Sequence, residues 1–449
     1  MIDVDGARVL VLGLGVTGRA VATELATQGA DVVVSDSGRP SDADVVALRG
    51  DGVEVEVGGH EQAAATLGSI DFVVPSPGIS PHRGFLSNVR SRGTRVVAEL
   101  DIAAGLTGKP IIAVTGTNGK TTVCMLAERI GRAAGLRTIA CGNTETPFIT
   151  AASAQSDADL FVVEASSFGL YFCETFHPRV AVVTNLVPDH LDWHDSFDDY
   201  RSAKARIAQC LRAGDLYLYP GDQPELADLP ARPEGDRVAF EPPTGDELVV
   251  RVAGQRVRAR GVGRLAERGR HFGADAAAAA TALVFCGAGA DAVEEALGDF
   301  ELARHRLEPI GELAGVRVVD DSVSTNPHAT IAALRSLGNG AGHGRIVLIA
   351  GGRNKGLDLS PLAGALSVLK GVVAMGEAAA DIARLVAAAG GTAKTVGSMT
   401  EAVSMALDWA DAGDIVLLSP ACASHDMFSG YADRGRAFRE ACRALGVKR

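Results

Sequence analysis

Short runs of β-branched and other apolar residues recur along the chain, each followed by a Gly-rich turn and then by apolar positions spaced three or four apart. Uninterrupted apolar runs mark strands buried on both faces, and their alternation with amphipathic helices predicts parallel sheets covered by helices. In the first hundred residues this predicts strands at Arg8–Gly13, Asp31–Ser35 and Asp71–Val74, and a helix over Thr17–Gln28. The turn Pro75-Ser76-Pro77-Gly78 follows, and the unit is expected to end near Ala98. A second unit opens with a strand over Pro110–Val114, the loop Thr115–Gly119 and a helix from Lys120, with further strands at Leu160–Glu164 and Val180–Thr184. Tyr219–Glu247 is Pro-rich and reads as irregular, and Leu248–Arg260 reads as an antiparallel hairpin around Ala253-Gly254. Ala276–Ala290, flanked by Asp275 and Asp291, reads as one buried helix, too short to span a membrane. A third unit begins near Arg304, with strands at Val316–Asp320, Arg345–Ala350, Gly371–Met375 and Asp414–Ser419. The expected division is therefore 1–98, 99–303 and 304–449, with no short-period repeat.

At 449 residues the chain exceeds one ordinary core, which agrees with several units. The net charge of −12 argues against a broad nucleic-acid or anionic-membrane surface, since phosphate backbones are held by clustered Lys and Arg. The arginines of the hairpin then read as solvated strand faces. A small anion remains admissible, because a nest of backbone N–H groups binds phosphate whatever the overall charge. The seven cysteines are scattered and form no C-x-x-C, so zinc and dithiol chemistry have no support and a reducing, cytoplasmic setting is expected. Met1-Ile2-Asp3-Val4-Asp5 lacks the order of a signal peptide, and no membrane insertion is expected.

Two glycine loops carry the candidate chemistry. Gly13-Leu14-Gly15-Val16-Thr17-Gly18 follows a strand and opens a helix, and Asp36 ends the next strand, where a ribose-binding acid is expected. Such a loop admits a dinucleotide cofactor, a UDP moiety or a tight turn with no ligand, and nothing elsewhere in the chain supports a nicotinamide. The second loop, Thr115-Gly116-Thr117-Asn118-Gly119-Lys120-Thr121-Thr122, is the stronger signal. Its backbone N–H groups are expected to wrap ATP phosphates, with Lys120 neutralising charge and Thr121 ligating Mg²⁺. The spacing is not that of a standard Walker A motif, which wants Gly where Val114 stands. Glu164 ends one apolar strand, and Asn185 with Asp189-His190-Leu191-Asp192 follows another. Ligands gather at strand carboxyl ends in such sheets. Alone, Glu164 reads as a helix cap and His190 as a loop residue; beside a phosphate loop they read together as a magnesium set.

Taken together, these residues resemble the bacterial Mur ligases. The resemblance rests on Gly116–Thr122, Asp189–Asp192, Tyr200 to Lys204, Arg304-His305-Arg306, Asp321-Ser322, Thr325-Asn326-Pro327, Gly351-Gly352 with Lys355, and Ser419–Ser424. The last run, with Asp426, Phe428 and Arg434-Gly435, looks like the glutamate-adding branch. The resemblance implies an α/β protein of three domains. These are a Rossmann-like N-terminal domain for UDP, a central P-loop ATPase-like parallel sheet with a small antiparallel addition for ATP, and a Rossmann-like C-terminal domain for the amino acid. It implies a monomeric, ATP- and Mg²⁺-dependent ligase joining glutamate to UDP-N-acetylmuramoyl-L-alanine through an acyl phosphate. By resemblance Lys120, His190 and Lys204 are catalytic, and Gly116, Thr117, Asn118, Gly119, Lys120, Thr121, Thr122, Asp275, Arg306 and Asp321 bind ATP. Thr121, Glu164, His190 and a carbamylated Lys204 would hold metal. Val16, Thr17, Asp36, Ser37, Ser76 and Asn143 would hold the UDP substrate, and Thr325, Lys355, Ser424 and Tyr431 the glutamate.

Four places depart from the family pattern. Val323 and Ser324 stand within the usual D-S-K-A-T-N, Gly169 replaces Gln in E-L-S-S-F-Q-L, Glu145 closes the usual G-N-I-G, and Asp275 ends the usual H-N-x-x-N. Three of the four are expected to touch the acyl or amino-acid end, whereas the phosphate and magnesium set is intact. That split implies altered specificity rather than inactivity, and an L-glutamate-adding variant stands beside the D-glutamate default. A folylpolyglutamate-synthase-like ligase and a non-catalytic paralogue are the remaining alternatives.

Overall fold

The computed structural model describes residues 2, 4–38, 40–82, 84–153, 157–229, 234–341, 345–367 and 369–448. Three larger sheets and one hairpin carry the chain. The first sheet contains β1 (Arg8–Leu12), β2 (Asp31–Asp36), β3 (Glu54–Val57), β4 (Phe72–Pro75) and β5 (Arg95–Val96), all parallel, in the order β3-β2-β1-β4-β5. Strand order reverses between β1 and β4, which opens a crevice at their carboxyl ends. The second sheet contains β6 (Ile111–Thr115), β7 (Thr138–Gly142), β8 (Leu160–Glu164), β9 (Val180–Val183), β10 (Leu216–Pro220) and β11 (Asp236–Phe240). It is also fully parallel, ordered β11-β10-β9-β6-β8-β7, so β6 lies between β9 and β8. β12 (Glu247–Val252) and β13 (Gln255–Arg260) form the antiparallel hairpin. The third sheet holds β14 (Glu308–Leu313), β15 (Val316–Asp320), β16 (Ile346–Gly351), β17 (Gly371–Met375), β18 (Ala393–Val396) and β19 (Ile415–Leu418), ordered β14-β15-β19-β16-β17-β18. Only its edge strand β14 runs antiparallel.

The central strands formed where the apolar runs predicted them, because every residue of β6, β8, β9 and β16 is buried. Three expectations are corrected. β1 stops at Leu12, because Gly13 turns away at φ +89°. The Pro-rich segment is not wholly irregular: Asp236–Phe240 pairs in register with β10. Its pattern was faint because this edge strand buries only Phe240 fully. The apolar stretch at 276–290 is two helices rather than one. The first, Arg270–Phe285, is followed by Gly287 at φ +101°, and the second begins at Ala290. Ala276–Ala280 are buried in the core that also receives the helix Lys120–Ala133. Their small side chains let the two helices approach closely, which brings Asp275 against the second glycine loop. β14 went unpredicted because Pro309 and Gly311 break its pattern, and a bulge at those residues is tolerated on an edge. No helix of the described residues is long and apolar enough to cross a membrane.

Candidate active site

The second glycine loop follows β6 at the middle of its sheet. Gly116 adopts φ +142°, and a Cβ there would overlap Thr184 Oγ1. Gly119, at φ +86°, ends the loop, and a Cβ on it would overlap the Asp275 carboxylate. Only glycine meets both demands. The loop is pinned from β9. Thr117 N–H donates to the Asn185 carbonyl (3.0 Å), and Asn118 N–H donates to Asn185 Oδ1 (3.0 Å). The Thr117 hydroxyl lies 2.9 Å from both the Val187 carbonyl and Tyr200 Oη. The expectation that successive loop amides face phosphate is therefore corrected: those of Thr117 and Asn118 are engaged by Asn185. The amides of the first turn of helix Lys120–Ala133 have no intrahelical acceptor and remain for an anion.

Two lysine side chains converge on one carbonyl. Lys120 Nζ lies 3.0 Å from the Gly116 oxygen, and Lys204 Nζ lies 2.8 Å from the same atom. Lys204 is buried at 2% exposure, over the Tyr200 ring. Burial, and then the neighbouring Lys120, hold its pKa well below the ordinary lysine range. Burial also lowers Lys120, against the opposing pull of Glu164 and Asp189.

Glu164, at the end of β8, accepts from Thr121 Oγ1 (2.8 Å) and from Asn143 Nδ2 (3.1 Å). Helix, strand and the loop after β7 thus meet on one buried carboxylate. Thr121 and Glu164 offer hard oxygen donors of the kind Mg²⁺ prefers. His190 sits at φ +55° with its ring edge-on to Phe168, and burial pushes its pKa down to about 3. At neutral pH its imidazole is uncharged, the form that ligates a metal.

The third sheet unit closes on this loop. Lys355 makes a buried ion pair with Asp189. Asn326 Nδ2 donates to Asp189 Oδ2 (3.1 Å) and to Asn118 Oδ1 (3.0 Å), while its own Oδ1 caps the helix that starts at Pro327. Between the two units lies a cleft of about 720 Å³ lined by Asn118, Gly119, Asn185, His271, Asp275, Arg306, Asp321 and His328, among others. Burial raises Asp275 to about 8 despite Arg306, and its Oδ2 is buried without a hydrogen-bond partner. A carboxyl protonated at neutral pH carries one donor and one acceptor, as the family's usual Asn does. Burial raises Asp321 to about 6; it accepts from the hydroxyls of Ser324 and Ser419.

At the first loop the glycines divide. A Cβ on Gly18 would overlap the Gly13 carbonyl, and one on Gly13 would press on Ser76 Oγ. Gly15 meets nothing, caps helix Val16–Thr27 without a side-chain bond, and leaves that helix N-terminus open. Both Asp36 oxygens are engaged, one by Leu14 N–H and the other by Gly38 N–H, each at 2.6 Å. Asp36 thus closes the loop on itself. Ser76 Oγ donates to the Gly13 carbonyl at 3.1 Å, Val16 and Ser37 are exposed, and Thr17 is half-buried.

Of the expected glutamate residues, Lys355 reaches the phosphate loop through Asp189 and Asn326. Thr325 is half-buried beside Asn326; Thr122, expected at the ATP phosphates instead, is buried in the helix below the loop. Ser424 is buried in the loop whose Ala423 pairs with Arg353. Tyr431 is 45% exposed and edge-on to His305, apart from the contacts that gather at the loop. Glu145 lines a groove with Val16, Arg19 and Asp44, against the first sheet unit. A Cβ at Gly169 would touch only Ser166 and Leu100. Asn185, Asp189 and Asn326 were visible as parts of motifs but were not picked as site residues, because their roles depend on partners 67 to 208 positions away. Among the described residues, His305, Glu308 and Asp320 form the one cluster of His and carboxylates compact enough for a metal, but the His305 ring bonds Asp320 and Glu308 pairs with Arg439.

Three family descriptions match in succession: a Mur ligase MurD-like N-terminal domain over residues 7–98, a Mur ligase middle domain over 114–241, and a Mur ligase glutamate ligase domain over 305–422. A UDP-N-acetylmuramoylalanine–D-glutamate ligase from Pelotomaculum thermopropionicum is 37% identical over 98% of both chains. One from Thermobifida fusca is 38% identical over 99% of both. The solved structure of a UDP-N-acetylmuramate–alanine ligase from Thermotoga maritima superposes with a TM-score of 0.61 at 18% identity, covering 98% of this chain and 99% of its own, and shares the fold. With a pinned phosphate loop, paired lysines and a closing third unit in the same order as those matches, the chain belongs to the Mur ligase family.

Proposed function

We propose that this chain is an ATP-dependent ligase that adds glutamate to UDP-N-acetylmuramoyl-L-alanine in peptidoglycan precursor synthesis, with D-glutamate, the isomer in its relatives' names, as the amino acid. One observation carries the reading: Lys120 and Lys204 both point at the Gly116 carbonyl. Burial lowers both amines and Lys120 lowers Lys204 further, so the pair favours a polyanion beside it that would let it hold positive charge. A triphosphate approached by a carboxylate is such a polyanion. The substrate carboxylate oxygen bonds to the γ-phosphorus of ATP as the bond to ADP breaks. The glutamate amine then attacks the acyl carbon, loses a proton, and displaces inorganic phosphate. Lys120 and the first-turn amides stabilise charge as it builds on the transferred phosphoryl group. Thr121 and Glu164 would hold one magnesium and the neutral His190 another, and the metal would screen the repulsion between carboxylate and triphosphate.

The proposed division of labour places UDP on residues 1–98, ATP on 99–303 and glutamate on 304–449. Lys355 has to share its ammonium between Asp189 and an incoming carboxylate, with Thr325 and Ser424 as the proposed hydroxyl donors. Lys204 is suited to carbamylation: burial favours its uncharged amine, which would add CO₂, release a proton and become an anion able to organise metal. Carbon-13 bicarbonate should give a carbamate resonance in the native chain and none in Lys204→Arg.

Phosphate release from ATP, assayed with the UDP substrate and each glutamate enantiomer, tests the function. The expected result is turnover that requires all three substrates and prefers the D isomer. A preference for L-glutamate would instead identify the variant that the apolar Val323 favours. No phosphate release with either isomer would overturn the reading.

A further inference from the structure

The segment 189–199 touches all three sheet units within eleven positions. Its first residue, Asp189, pairs with Lys355 and Asn326 of the third unit. Its second, His190, packs edge-on against Phe168 of the central unit. Farther along, contact passes to the first unit. The Trp193 carbonyl accepts from Ser80 Oγ at 3.1 Å. The His82 ring is gripped at both nitrogens: Nδ1 lies 2.8 Å from Asp195 Oδ2, and Nε2 lies 3.1 Å from Asp199 Oδ2. The Tyr171 hydroxyl adds a third contact to that ring at 3.3 Å.

The chain of bonds continues inward. The oxygen of Asp199 that meets His82 also meets His194 Nδ1 at 2.8 Å, and His194 Nε2 meets Ser167 Oγ at 3.0 Å. Ser167, His194 and Asp199 thus stand in the order of a hydrolytic triad. That reading fails on access, because His194 has no exposed surface and Ser167 is 2% exposed. A buried, fully bonded array of this kind fixes geometry. Ser167 lies three residues after Glu164, and the Phe168 ring touches His190, Trp193 and His194 in turn, with centroids 4.7, 4.6 and 5.9 Å away. The imidazole of a residue in the first unit is therefore tied, through two carboxylates and one aromatic cluster, to the imidazole of His190, which lies near enough to Lys120 to feel its charge.

We propose that His82 is a positioning residue. It holds the 189–199 segment so that His190 is aimed at the metal–nucleotide site, and so couples the unit bearing the UDP substrate to the metal. This rests on the reading of His190 as a magnesium ligand. Partners that orient a metal ligand from behind change metal affinity without touching the metal. His82 stands where the first unit can report its own position, because Ser80 and His82 lie four and six residues beyond Ser76 at the end of β4.

The test measures Mn²⁺ binding directly, by electron paramagnetic resonance titration of the full-length chain with a non-hydrolysable ATP analogue. His82→Ala should weaken Mn²⁺ binding by about tenfold and raise the Mg²⁺ concentration for half-maximal activity by a similar factor. Affinity for the ATP analogue should stay within about twofold, and His82→Gln, which keeps a donor toward a carboxylate, should recover most of the loss. Hydrogen exchange over 189–199 should quicken in His82→Ala. If His82→Ala does not fold, Ser80→Ala combined with Asp195→Asn gives the same reading, expected at about threefold. A lowered melting temperature with an unchanged Mn²⁺ titration would mean that His82 is only structural, and the proposal would fall. His190→Ala separates the two readings. If it leaves Mn²⁺ binding intact, the ligand assignment itself is wrong. If it weakens binding while the His82 variants do not, only the positioning role is wrong.

Discussion

The two glycine loops share a local architecture and differ in what surrounds them. Each follows a buried strand, turns on a left-handed glycine and opens a helix. The first is closed by a carboxylate, since both oxygens of Asp36 bond backbone amides beside it. The second is closed by the amide of Asn185 and overlooked by Lys120, Lys204 and, across the cleft, Arg306. The turn alone therefore says only that backbone approaches something closely. The charge placed around it decides what that something is. A loop braced by a carboxylate suits a ligand whose pyrophosphate meets a helix N-terminus and little else. A loop facing two buried lysines suits a triphosphate whose charge is about to be rearranged.

Substitutions that act on one loop at a time break or sharpen this contrast. The largest effect is expected from Lys120→Ala, which should lower ATP-driven phosphate release by about a thousandfold while sparing affinity for the UDP substrate. Equal loss of both would mean that the loops do not divide the work. Asp189→Ala should come next. It leaves the Lys355 ammonium buried without its partner, at about 3–5 kcal/mol, measured as a drop in thermal stability together with lost turnover. At the first loop, Gly18→Ala drives a methyl into the Gly13 carbonyl and should destabilise by about 1–3 kcal/mol in denaturant melts.

Gly15→Ala meets nothing, so stability should stay within about 0.5 kcal/mol, yet the KM for the UDP substrate should rise. An unchanged KM would reduce the first loop to a turn. The smallest effect expected is at Asp275, against the second loop. A carboxyl raised on folding contributes stability below its ordinary value of 3.8 and loses it as pH rises through about 8. Asp275→Asn should therefore flatten the decline of melting temperature across that range and melt a few degrees higher at its alkaline end, read by differential scanning calorimetry.

Much of the architecture was legible in the chain. The runs Ile111–Thr115, Leu160–Glu164 and Val180–Val183 announced a parallel sheet because both their faces are covered, so no polar alternation blurs them. Edge strands were not legible, since Asp236–Phe240 and Glu308–Leu313 bury one face or are interrupted by Pro and Gly. At the site, Lys120, Thr121 and Glu164 were found by their places at the ends of strands and the start of a helix; Thr121 and Glu164 do meet, and Lys120 turns back onto the Gly116 carbonyl. Asn185, Asp189 and Asn326 were passed over, and Lys204 looked like an exposed helix residue apart from the family resemblance. Only the structure shows it 2% exposed beneath the phosphate loop.

By itself, then, the sequence determined the class of fold, the phosphate loop and the chemistry it invites. Those depend on spacing within a strand, a turn and the helix after it, which short-range sterics and burial dictate. What surrounds each loop was decided by tertiary structure. The pairing of Lys204 with Lys120, of Lys355 with Asp189, and of His82 with Asp199 joins residues tens to hundreds of positions apart. Their interaction energies come from burial and distance, quantities that exist only after separate sheets have packed against one another.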